Sequence, residues 1–580
     1  MPVRAEEKLA ILVGPTGNAK GVARLVLIRR VVLVGLSGAG KSTVGRLVAQ
    51  GLGWRLIDTD AEIEAETAST VPLVFRDRGE AAFRAIEREV LERALGGEEV
   101  VVACGGGAVA NEGVWSPSLL GGPGTLVVAL DADPETSLRR LQAQHALEGS
   151  AADRPLLAGG DPLGRLAAMK AARRTWYERA AVTLPVDDAP AETIAAVLGE
   201  LVELGIDAAE VILLNTPSGA SRILVSPGAL LKLGELTRER WPAGRRAWIV
   251  SDANVGPIFG PDATETLAGR GFDVRMFSVP SGESSKSVDG ITQVWNWLLE
   301  SGIERSDVVI ALGGGVVGDL AGFAAATVLR GVGLVQVPTT LQAMVDASVG
   351  GKTGINHPAG KNLIGAFYQP ALVIIDPALL RTVPPRELRS GWAEVVKHAV
   401  IQRSTPGGER ADLLPFLECN APSLQSLGEP VTAYLIGRNV ALKAAVVEAD
   451  EKESGIRAYL NFGHTLGHGI EAAGYSLLHG EAVALGMRAA GRIGQALETC
   501  GPEWVARVDA ALDGFDLPRT ADVDPDRVLA LLGSDKKRTL GRQQWVLPLD
   551  GGGVTVRDDV PEATVRSALA AVTKGGVRAT

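Results

Sequence analysis

A glycine-rich loop near the N-terminus limits what this chain can fold into. Residues 35–42, of sequence GLSGAGKS, follow an apolar run at 31–34 and precede apolar residues at helical spacing. A strand, such a loop and a helix are the parts of a phosphate-binding loop (P-loop) in a parallel α/β sheet. Its backbone N–H groups and the helix N-terminus bind nucleotide phosphates. The residues that we assign to the phosphates of a nucleoside triphosphate and to Mg²⁺ are Gly38, Gly40, Lys41, Ser42 and Thr43.

Length, charge and cysteine count indicate a chain of several domains. At 580 residues it is too long for one core, and we expect about three or four domains. Three widely spaced cysteines form no disulfide framework, which predicts a cytoplasmic protein. The net charge of −10 and the lack of a membrane-length apolar run argue against nucleic-acid and membrane partners. This net charge is compatible with small anionic substrates, because a phosphate-binding pocket needs only a few cationic side chains within the pocket.

Hydrophobic patterning divides the chain into an extension and three domains. Residues 1–27 have no assignment, because their P-loop-like run lacks the last glycine and the metal-binding hydroxyl. Short apolar strands alternate with helices in residues 28–205, and the alternation restarts in residues 210–390 after a linker at 205–209. Helical patterns dominate residues 391–580. The predicted fold class is α/β, with a mostly α-helical domain at the C-terminal end.

Charged residues beyond the P-loop complete a candidate kinase site. Asp58 and Asp60 follow the next apolar run, where one carboxylate can hold metal-bound water and the other can orient an alcohol. Arginine suits planar carboxylates and phosphates because its guanidinium is a rigid fork of donors. The remaining candidates in this region are Arg84, Arg154, Arg173 and the glycine run Gly105, Gly106 and Gly107.

These motifs, in order over residues 29–203, resemble the shikimate kinase family. The resemblance implies a parallel-sheet P-loop fold and ATP-dependent phosphorylation of the 3-hydroxyl of shikimate, driven by positioning and charge neutralisation. It implies that Asp60 orients or deprotonates the attacking hydroxyl, that Asp58 belongs to the Mg²⁺ shell, and that Arg154, on a lid, acts with Lys41 at the transferring phosphate. The residues implied to contact shikimate are Asp60, Arg84, Gly105, Gly106, Gly107 and Arg173.

A second set of ligand-binding motifs begins past residue 310. Glycines 313–315 follow an apolar strand, although their spacing differs from the usual dinucleotide fingerprint. Glycine–lysine motifs at 350–352 and 360–362 indicate anion binding. Polar residues also follow neighbouring strands, at the edge where open α/β sheets bind ligands. These residues are Asp252, Asn254, Glu283, Lys286, Thr339 and Thr340.

Three histidines within sixteen residues indicate a metal site. Glu394 with His464 and His479 would supply one carboxylate and two imidazoles, a typical catalytic zinc set with an open position. His464 and His468 are four residues apart and could instead face one metal from a helix. Spacing alone leaves the ligating pair open, although the intervening residues lack the glutamate of a zinc protease.

Residues 211–580 closely resemble the 3-dehydroquinate synthase family, through motifs that include GGGVVGD at 313–319, AEVVK at 393–397 and NFGHT at 461–465. The resemblance implies that Glu394, His464 and His479 bind Zn²⁺ or Co²⁺. It implies that Lys397, Lys443 and His468 act in catalysis. Implied NAD contacts are Asp252, Asn254, Glu283, Lys286, Gly314, Gly315, Asp319, Thr339, Thr340 and Lys361. Implied substrate contacts are Arg330, Asp346, Lys352, Asn362, Arg457, Asn461 and Lys536, with Arg330 at the phosphate across a homodimer interface.

Together the resemblances imply a bifunctional enzyme of the shikimate pathway. The second reaction would convert 3-deoxy-D-arabino-heptulosonate 7-phosphate into 3-dehydroquinate with loss of phosphate. NAD would be recycled, since it removes a hydride from C5 and returns it after the elimination. One alternative is a kinase fused to a different sugar-phosphate cyclase. Another is that one half is an inactive scaffold or regulatory module.

Overall fold

The structure is a computed structural model that describes residues 28–148, 160–207, 210–474, 476–533, 538–539 and 542–573. The extension at 1–27, Arg154 and Lys536 therefore lie outside the described residues. In the part of the chain that is described, no helix is both long and apolar enough to cross a membrane.

The first domain is built on a five-stranded parallel sheet. β-Branched and other apolar residues fill its central strands on both faces, as is typical of a sheet covered by helices on each side. Its strands are β1 Arg30–Gly35, β2 Arg55–Asp58, β3 Val100–Ala103, β4 Thr125–Asp131 and β5 Val182–Pro185, in the order β2-β3-β1-β4-β5. Its helices are Lys41–Leu52, Thr59–Thr67, Val71–Leu95, Pro134–Glu148, Pro162–Tyr177 and Ala191–Asp207, with a 3₁₀ turn at Glu112–Trp115. The range Val71–Leu95 consists of two helices that meet at a kink at Gly79, where φ is 78°. The last helix occupies 205–207, which we expected to belong to the linker.

The second domain contains a seven-stranded sheet and a separate hairpin. The sheet strands are β6 Glu210–Thr216, β7 Gly219–Val225, β8 Arg246–Asp252, β9 Asp273–Val279, β10 Val308–Gly313, β11 Gly333–Pro338 and β14 Leu372–Ile375. Their order is β6-β7-β14-β11-β10-β8-β9, antiparallel between β6 and β7 and parallel elsewhere. The hairpin pairs β12 Lys352–His357 with β13 Gly360–Phe367. The helices are Leu233–Arg240, Gly256–Ala268, Val288–Glu300 and Gly315–Thr327, with a π-helical turn at Ala343–Ala347 and 3₁₀ turns at Ala229–Lys232, Glu283–Ser285, Val328–Arg330 and Pro377–Thr382.

The third domain is mostly helical. Its first helix, Pro385–Ile401, crosses the boundary that we expected at residues 390 and 391. The other helices are Leu413–Gln425, Val431–Ala449, His464–Ala473, His479–Ala496, Pro502–Asp513, Pro525–Gly533 and Glu562–Ala570. Short strands β15 Arg538–Thr539, β16 Arg542–Gln543, β17 Trp545–Pro548 and β18 Val554–Arg557 form two hairpins, and 3₁₀ turns occupy Gln402–Ser404, Gly408–Arg410 and Ile456–Asn461.

A side chain of the third domain covers the exposed edge of the first sheet. Strand β5 is an edge strand, and edge strands present unpaired peptide groups. The Thr183 N–H donates to Asn420 Oδ1 at 2.8 Å, and Asn420 Nδ2 donates to the Thr183 carbonyl at 2.7 Å. The Asn420 amide thus pairs with β5 as a peptide group of a neighbouring strand would. The first and third domains therefore pack directly against each other.

Candidate active sites

The P-loop has the geometry that phosphate binding requires. It follows β1, and its Gly38 and Gly40 adopt φ angles of 83° and 93°, which L side chains rarely adopt. A Cβ on Gly38 would lie 2.6 Å from the Ser137 carbonyl oxygen, so the loop is also closely packed. The Lys41 ammonium donates to the carbonyls of Gly35 and Leu36, each at 3.0 Å. Lys41 therefore folds back across the loop that would hold the phosphates.

The carboxylates expected beside the P-loop lie at the end of β2. The Ser42 hydroxyl donates to Asp58, and Asp58 also caps the helix Thr59–Thr67 by accepting the Asp60 N–H at 3.1 Å. Ser42 and Asp58 are thus adjacent oxygen ligands, the type that Mg²⁺ prefers. Asp60 is half-buried in the first turn of that helix, two residues after Asp58.

The glycine run and the two arginines form one wall. A Cβ on Gly107 would lie 2.4 Å from Arg84 Nη2, and a Cβ on Gly105 would lie 3.0 Å from an Asp60 oxygen. Arg173 Nη1 donates to the Gly106 carbonyl at 2.7 Å. A Cβ on Gly106 would also lie 3.2 Å from the hydroxyl of Ser37 in the P-loop. The structure therefore brings Asp60, Arg84, Gly105, Gly106, Gly107 and Arg173 together beside the P-loop.

Glu87 is a site residue that the sequence analysis did not single out. Its side chain is buried, and Arg84 Nη1 donates to it at 2.6 Å. Burial raises the pKa of Glu87, and the neighbouring Arg84 acts in the opposite direction. Both residues line a cavity of about 240 Å³ together with Gly107 and Arg173. The signal in the sequence was the three-residue spacing from Arg84, which puts the two side chains on one helix face.

The second site lies at the carboxyl edge of the seven-stranded sheet. Asp252 ends β8 and accepts the N–H groups of Asn254 and Val255. Gly314 follows β10, where an added Cβ would lie 3.2 Å from Thr340. The Thr339 hydroxyl is buried and has no hydrogen-bond partner among the described residues. A buried hydroxyl for which the described residues offer no partner, next to the closely packed Gly314, fits a ligand bound at this edge of the sheet.

Lys286 joins several of the expected dinucleotide contacts into one network. Its ammonium lies 2.6 Å from both Asp319 Oδ2 and Asn362 Oδ1, and 3.7 Å from Glu283 Oε1. Asn356, on the hairpin, donates to Glu283 at 2.7 Å. Burial raises the pKa of Asp319, and Lys286 opposes the shift. Lys361 belongs to a different cluster, because its ammonium lies 2.5 Å from Glu471 Oε1 in the helical domain.

The metal ligands suggested by the sequence converge from three helices. Glu394 lies on the helix Pro385–Ile401. His464 is the first residue of the helix His464–Ala473, and His479 is the first residue of the helix His479–Ala496. Glu394 Oε1 lies 3.4 Å from His464 Nε2 and 3.3 Å from His479 Nε2. The three ligand atoms lie within 4.8 Å of one another, which fits one ion. The His468 ring centroid lies 5.3 Å from that of His464, so His468 borders the cluster.

In both histidines, Nδ1 lies on the side away from Glu394 and has a hydrogen-bond acceptor beside it. His464 Nδ1 lies 3.2 Å from the Phe462 carbonyl, and His479 Nδ1 lies 3.1 Å from Glu471 Oε2. Both acceptors require a proton on Nδ1, which leaves Nε2 of each ring to ligate. The pKa of His479 rises to about 9, because Glu394 and Glu471 outweigh the effect of burial. Glu471 was not predicted from the sequence.

Two buried lysines and Asp346 connect the metal cluster with the dinucleotide edge. Lys397 Nζ lies 2.5 Å from Glu394 Oε2 and 4.0 Å from Asp346 Oδ1, and Lys443 donates to the same Asp346 oxygen. Burial acts to lower the pKa of Lys397, but Glu394 and Asp346 outweigh it and the pKa is raised. For Lys443 the effect of burial is larger than the opposing effect of Asp346, and the pKa falls to about 8. Asp346 lies on the π-helical turn that follows Thr340.

The remaining substrate candidates surround this cluster. Buried Arg457 donates to the Gly350 carbonyl at 3.0 Å. Glu453, which the sequence analysis did not identify, accepts from Asn461 at 2.8 Å and also pairs with Lys352. Arg330 instead lies exposed in a left-handed turn, with φ 67°. Its placement differs from that of the buried candidates.

Comparison with known proteins matches each part of this architecture. The family described as shikimate kinase matches residues 37–203. The family descriptions 3-dehydroquinate synthase N-terminal and C-terminal match residues 276–390 and 391–538. The chain is 44% identical over 365 residues to the 3-dehydroquinate synthase of Rippkaea orientalis, covering 62% of this chain and 98% of that protein. The corresponding protein of Symbiobacterium thermophilum is 43% identical over 354 residues, which cover 60% of this chain and 97% of that protein.

A solved structure agrees with the second half. The 2-epi-5-epi-valiolone synthase of Streptomyces hygroscopicus, solved with NAD⁺ and Zn²⁺ bound, superposes with a TM-score of 0.55. It is 28% identical and covers 62% of this chain and 98% of that chain. These matches confirm the predicted α/β kinase domain followed by synthase domains. The chain belongs to the 3-dehydroquinate synthase family over its second and third domains and carries a shikimate kinase domain in front of them.

Proposed function

We propose that the two sites catalyse two steps of the shikimate pathway independently. The N-terminal site phosphorylates the 3-hydroxyl of shikimate with MgATP. The C-terminal site converts 3-deoxy-D-arabino-heptulosonate 7-phosphate into 3-dehydroquinate and phosphate. The observation that carries the proposal is that one chain holds both a P-loop beside an arginine–glycine wall and a glutamate–histidine cluster beside a dinucleotide edge.

In the kinase site, each group has a distinct task. Ser42 and Asp58 hold Mg²⁺, and the loop N–H groups with Lys41 bind the phosphates of ATP. Arg84 and Arg173 bind the shikimate carboxylate and hydroxyls, and Asp60 orients the attacking 3-hydroxyl or accepts its proton. Arg154 neutralises charge on the transferred phosphoryl group. Such a site accelerates transfer by positioning and by electrostatic stabilisation.

In the synthase site, the residues fit both NAD and a divalent metal. A carboxylate and two imidazoles whose Nε2 atoms face one point suit Zn²⁺ or Co²⁺. The orphaned Thr339 hydroxyl, the tight Gly314 turn and the Lys286 network suit a dinucleotide. When bound, NAD supplies reversible hydride transfer at C5, and the metal polarises the alcohol there.

The chain's own residues then bind and orient the sugar phosphate. The cations of Lys352, Lys397, Lys443 and Arg457 match a substrate that carries a carboxylate and a phosphate. Asp346 holds both buried ammonium groups in place. Asn461, Asn362 and Lys536 complete the substrate contacts, and His468 beside the metal cluster can exchange a proton with the substrate.

The same proposal includes a cytoplasmic homodimer formed through the synthase half. Exposed Arg330 supports it, since a cation outside its own cluster can serve the phosphate of a second copy. The exposed apolar residues Leu363, Ile364 and Phe367 of the hairpin are consistent with a contact surface. Light scattering of the purified protein tests the dimer, and an Arg330→Ala chain mixed with a His464→Ala chain should regain synthase activity if sites are shared.

A different sugar-phosphate cyclase activity is the second candidate function. The solved relative that makes 2-epi-5-epi-valiolone keeps it open. The higher identity to proteins named 3-dehydroquinate synthase, 44% against 28%, favours the first assignment. Identification of the product from each candidate sugar phosphate separates the two.

The deciding experiment measures both reactions on the full-length protein. One assay follows ADP release with shikimate and MgATP, and the other follows phosphate release from the heptulosonate phosphate with NAD⁺ and Zn²⁺. Lys41→Ala should abolish only the first, and His464→Ala only the second. If wild-type protein releases phosphate only from another sugar phosphate, the cyclase assignment is wrong. If it lacks one reaction altogether, that half is a scaffold.

A further inference from the structure

The hairpin β12–β13 is attached to the helical domain by two lysine–glutamate pairs. Lys352, at the start of β12, pairs with Glu453, and Lys361, near the start of β13, lies 2.5 Å from Glu471 Oε1. Most side chains of β13 are exposed. The ring of Phe367, at the end of β13, lies 5.9 Å from the guanidinium carbon of Arg457 in the helical domain. The two ion pairs and this aromatic contact connect the hairpin with the helical domain.

Glu471 differs from Glu453 because its second oxygen contacts a metal ligand. Its Oε1 accepts from Lys361, and its Oε2 accepts from His479 Nδ1 at 3.1 Å. The Glu471 side chain is 15% exposed, whereas that of Lys361 is 57% exposed. An exposed lysine–glutamate pair alone contributes little to stability. A carboxylate held between that lysine and a ligating imidazole links two parts of the site.

The two ligating imidazoles are oriented in different ways. The His464 Nδ1–H points to a backbone carbonyl, which no side-chain substitution removes. The His479 Nδ1–H points to the Glu471 side chain, so its ring orientation depends on that residue. Partners of this kind fix the tautomer and raise the basicity of a metal-bound imidazole, and their loss weakens metal binding by about 10- to 100-fold.

We propose that Glu471 is a positioning residue that couples metal binding at His479 to docking of the β12–β13 hairpin. The inference rests on the metal site of the proposed function. A bound divalent metal holds His479 with its Nδ1–H on Glu471, which keeps the Glu471 carboxylate in place for Lys361. Coupling between two equilibria is reciprocal, so a docked hairpin strengthens metal binding by the same factor.

Substitutions at Glu471 separate its two contacts. Glu471→Gln retains an oxygen for His479 but offers an amide to Lys361, so the ion pair is lost. Glu471→Ala removes both contacts. Lys361→Met removes only the hairpin contact. Glu481→Gln is the matched control, because Glu481 lies in the first turn of the same helix as His479 and pairs with Arg386 instead.

The test uses the full-length, metal-free protein with Zn²⁺ alone. Zinc affinity is measured by competition with a chelator, and hydrogen exchange of the β13 amides is followed with and without zinc. We expect Glu471→Ala to weaken zinc binding by about 10- to 100-fold. Glu471→Gln should retain more affinity than Glu471→Ala, and Glu481→Gln should match the wild type. Zinc should slow β13 exchange in the wild type but not in Glu471→Ala or Lys361→Met.

The outcomes distinguish this inference from the proposed function. His464→Ala must lose zinc binding, and if it does not, the metal site itself is misassigned. If His464→Ala loses zinc while Glu471→Ala binds it as the wild type does, Glu471 has no positioning role. If zinc does not change the hydrogen exchange rate of the β13 amides in the wild type, the proposed coupling is wrong.

Discussion

The contact of Asn420 with strand β5 predicts that the helical domain stabilises the kinase sheet. Asn420→Ala removes the acceptor for the Thr183 N–H and the donor for the Thr183 carbonyl, at 2.8 and 2.7 Å. An unpaired buried group costs about 1–3 kcal/mol, and Thr183 is only half-buried, so water satisfies part of the loss. We therefore expect a cost of about 2 kcal/mol.

Hydrogen exchange at Thr183 measures this cost directly. Because each 1.4 kcal/mol is a tenfold factor, the Thr183 amide should exchange about 30-fold faster in Asn420→Ala. The thermal transition of the kinase domain should move to lower temperature by a few degrees. Ser423→Ala is the matched control, because its hydroxyl contacts the neighbouring Ala181 carbonyl at a long 3.4 Å.

Equal Thr183 exchange in Asn420→Ala and Ser423→Ala would refute the reasoning. That result would mean that β5 is stabilised within its own sheet and that the two domains are merely tethered. Faster exchange confined to β5, with an unchanged transition temperature, would reduce the role of Asn420 to local protection of the strand edge.

Three further predictions concern the sites and the core. Gly107→Ala should raise the KM for shikimate with little loss of stability, because its Cβ would displace the flexible end of Arg84, whereas Gly51→Ala, with open space around it, should leave the KM unchanged. In metal-free protein, burial and then Lys397 lower the pKa of His398 to about 3, so the folded ring stays neutral while the unfolded ring is protonated below 6.5. The contribution of His398 to the free energy of unfolding should therefore fall by about 1.4 kcal/mol per pH unit from 6.5 toward 3, and denaturant titrations should show a smaller loss in His398→Gln. Lys443→Met should raise the KM for the sugar phosphate, measured by phosphate release, because it removes a buried cation and leaves Asp346 less compensated.

Local patterns in the sequence accounted for the elements and most ligand types. The P-loop was recognisable because a strand, a glycine turn and a helix are contiguous, and β1 with the helix Lys41–Leu52 lies where the pattern predicts. The alternation of apolar strands with helices likewise predicted two α/β domains and a helical one. The predicted division at residues 390 and 391 lies inside the helix Pro385–Ile401. A domain boundary inside a helix leaves no mark in the apolar pattern, because the helical periodicity is the same on both sides of it.

The sequence by itself determined which chemical groups are available: a phosphate loop, three closely spaced histidines, a distant candidate carboxylate, and lysines beside glycine turns. Only the tertiary structure decided which of them meet. It brought Glu394 within 3.4 Å of both His464 and His479, and it joined Lys361 to Glu471 and Asn420 to β5. These contacts join residues from 70 to 237 positions apart. Periodicity and motif spacing describe neighbours along one element, whereas such contacts depend on how separate elements pack.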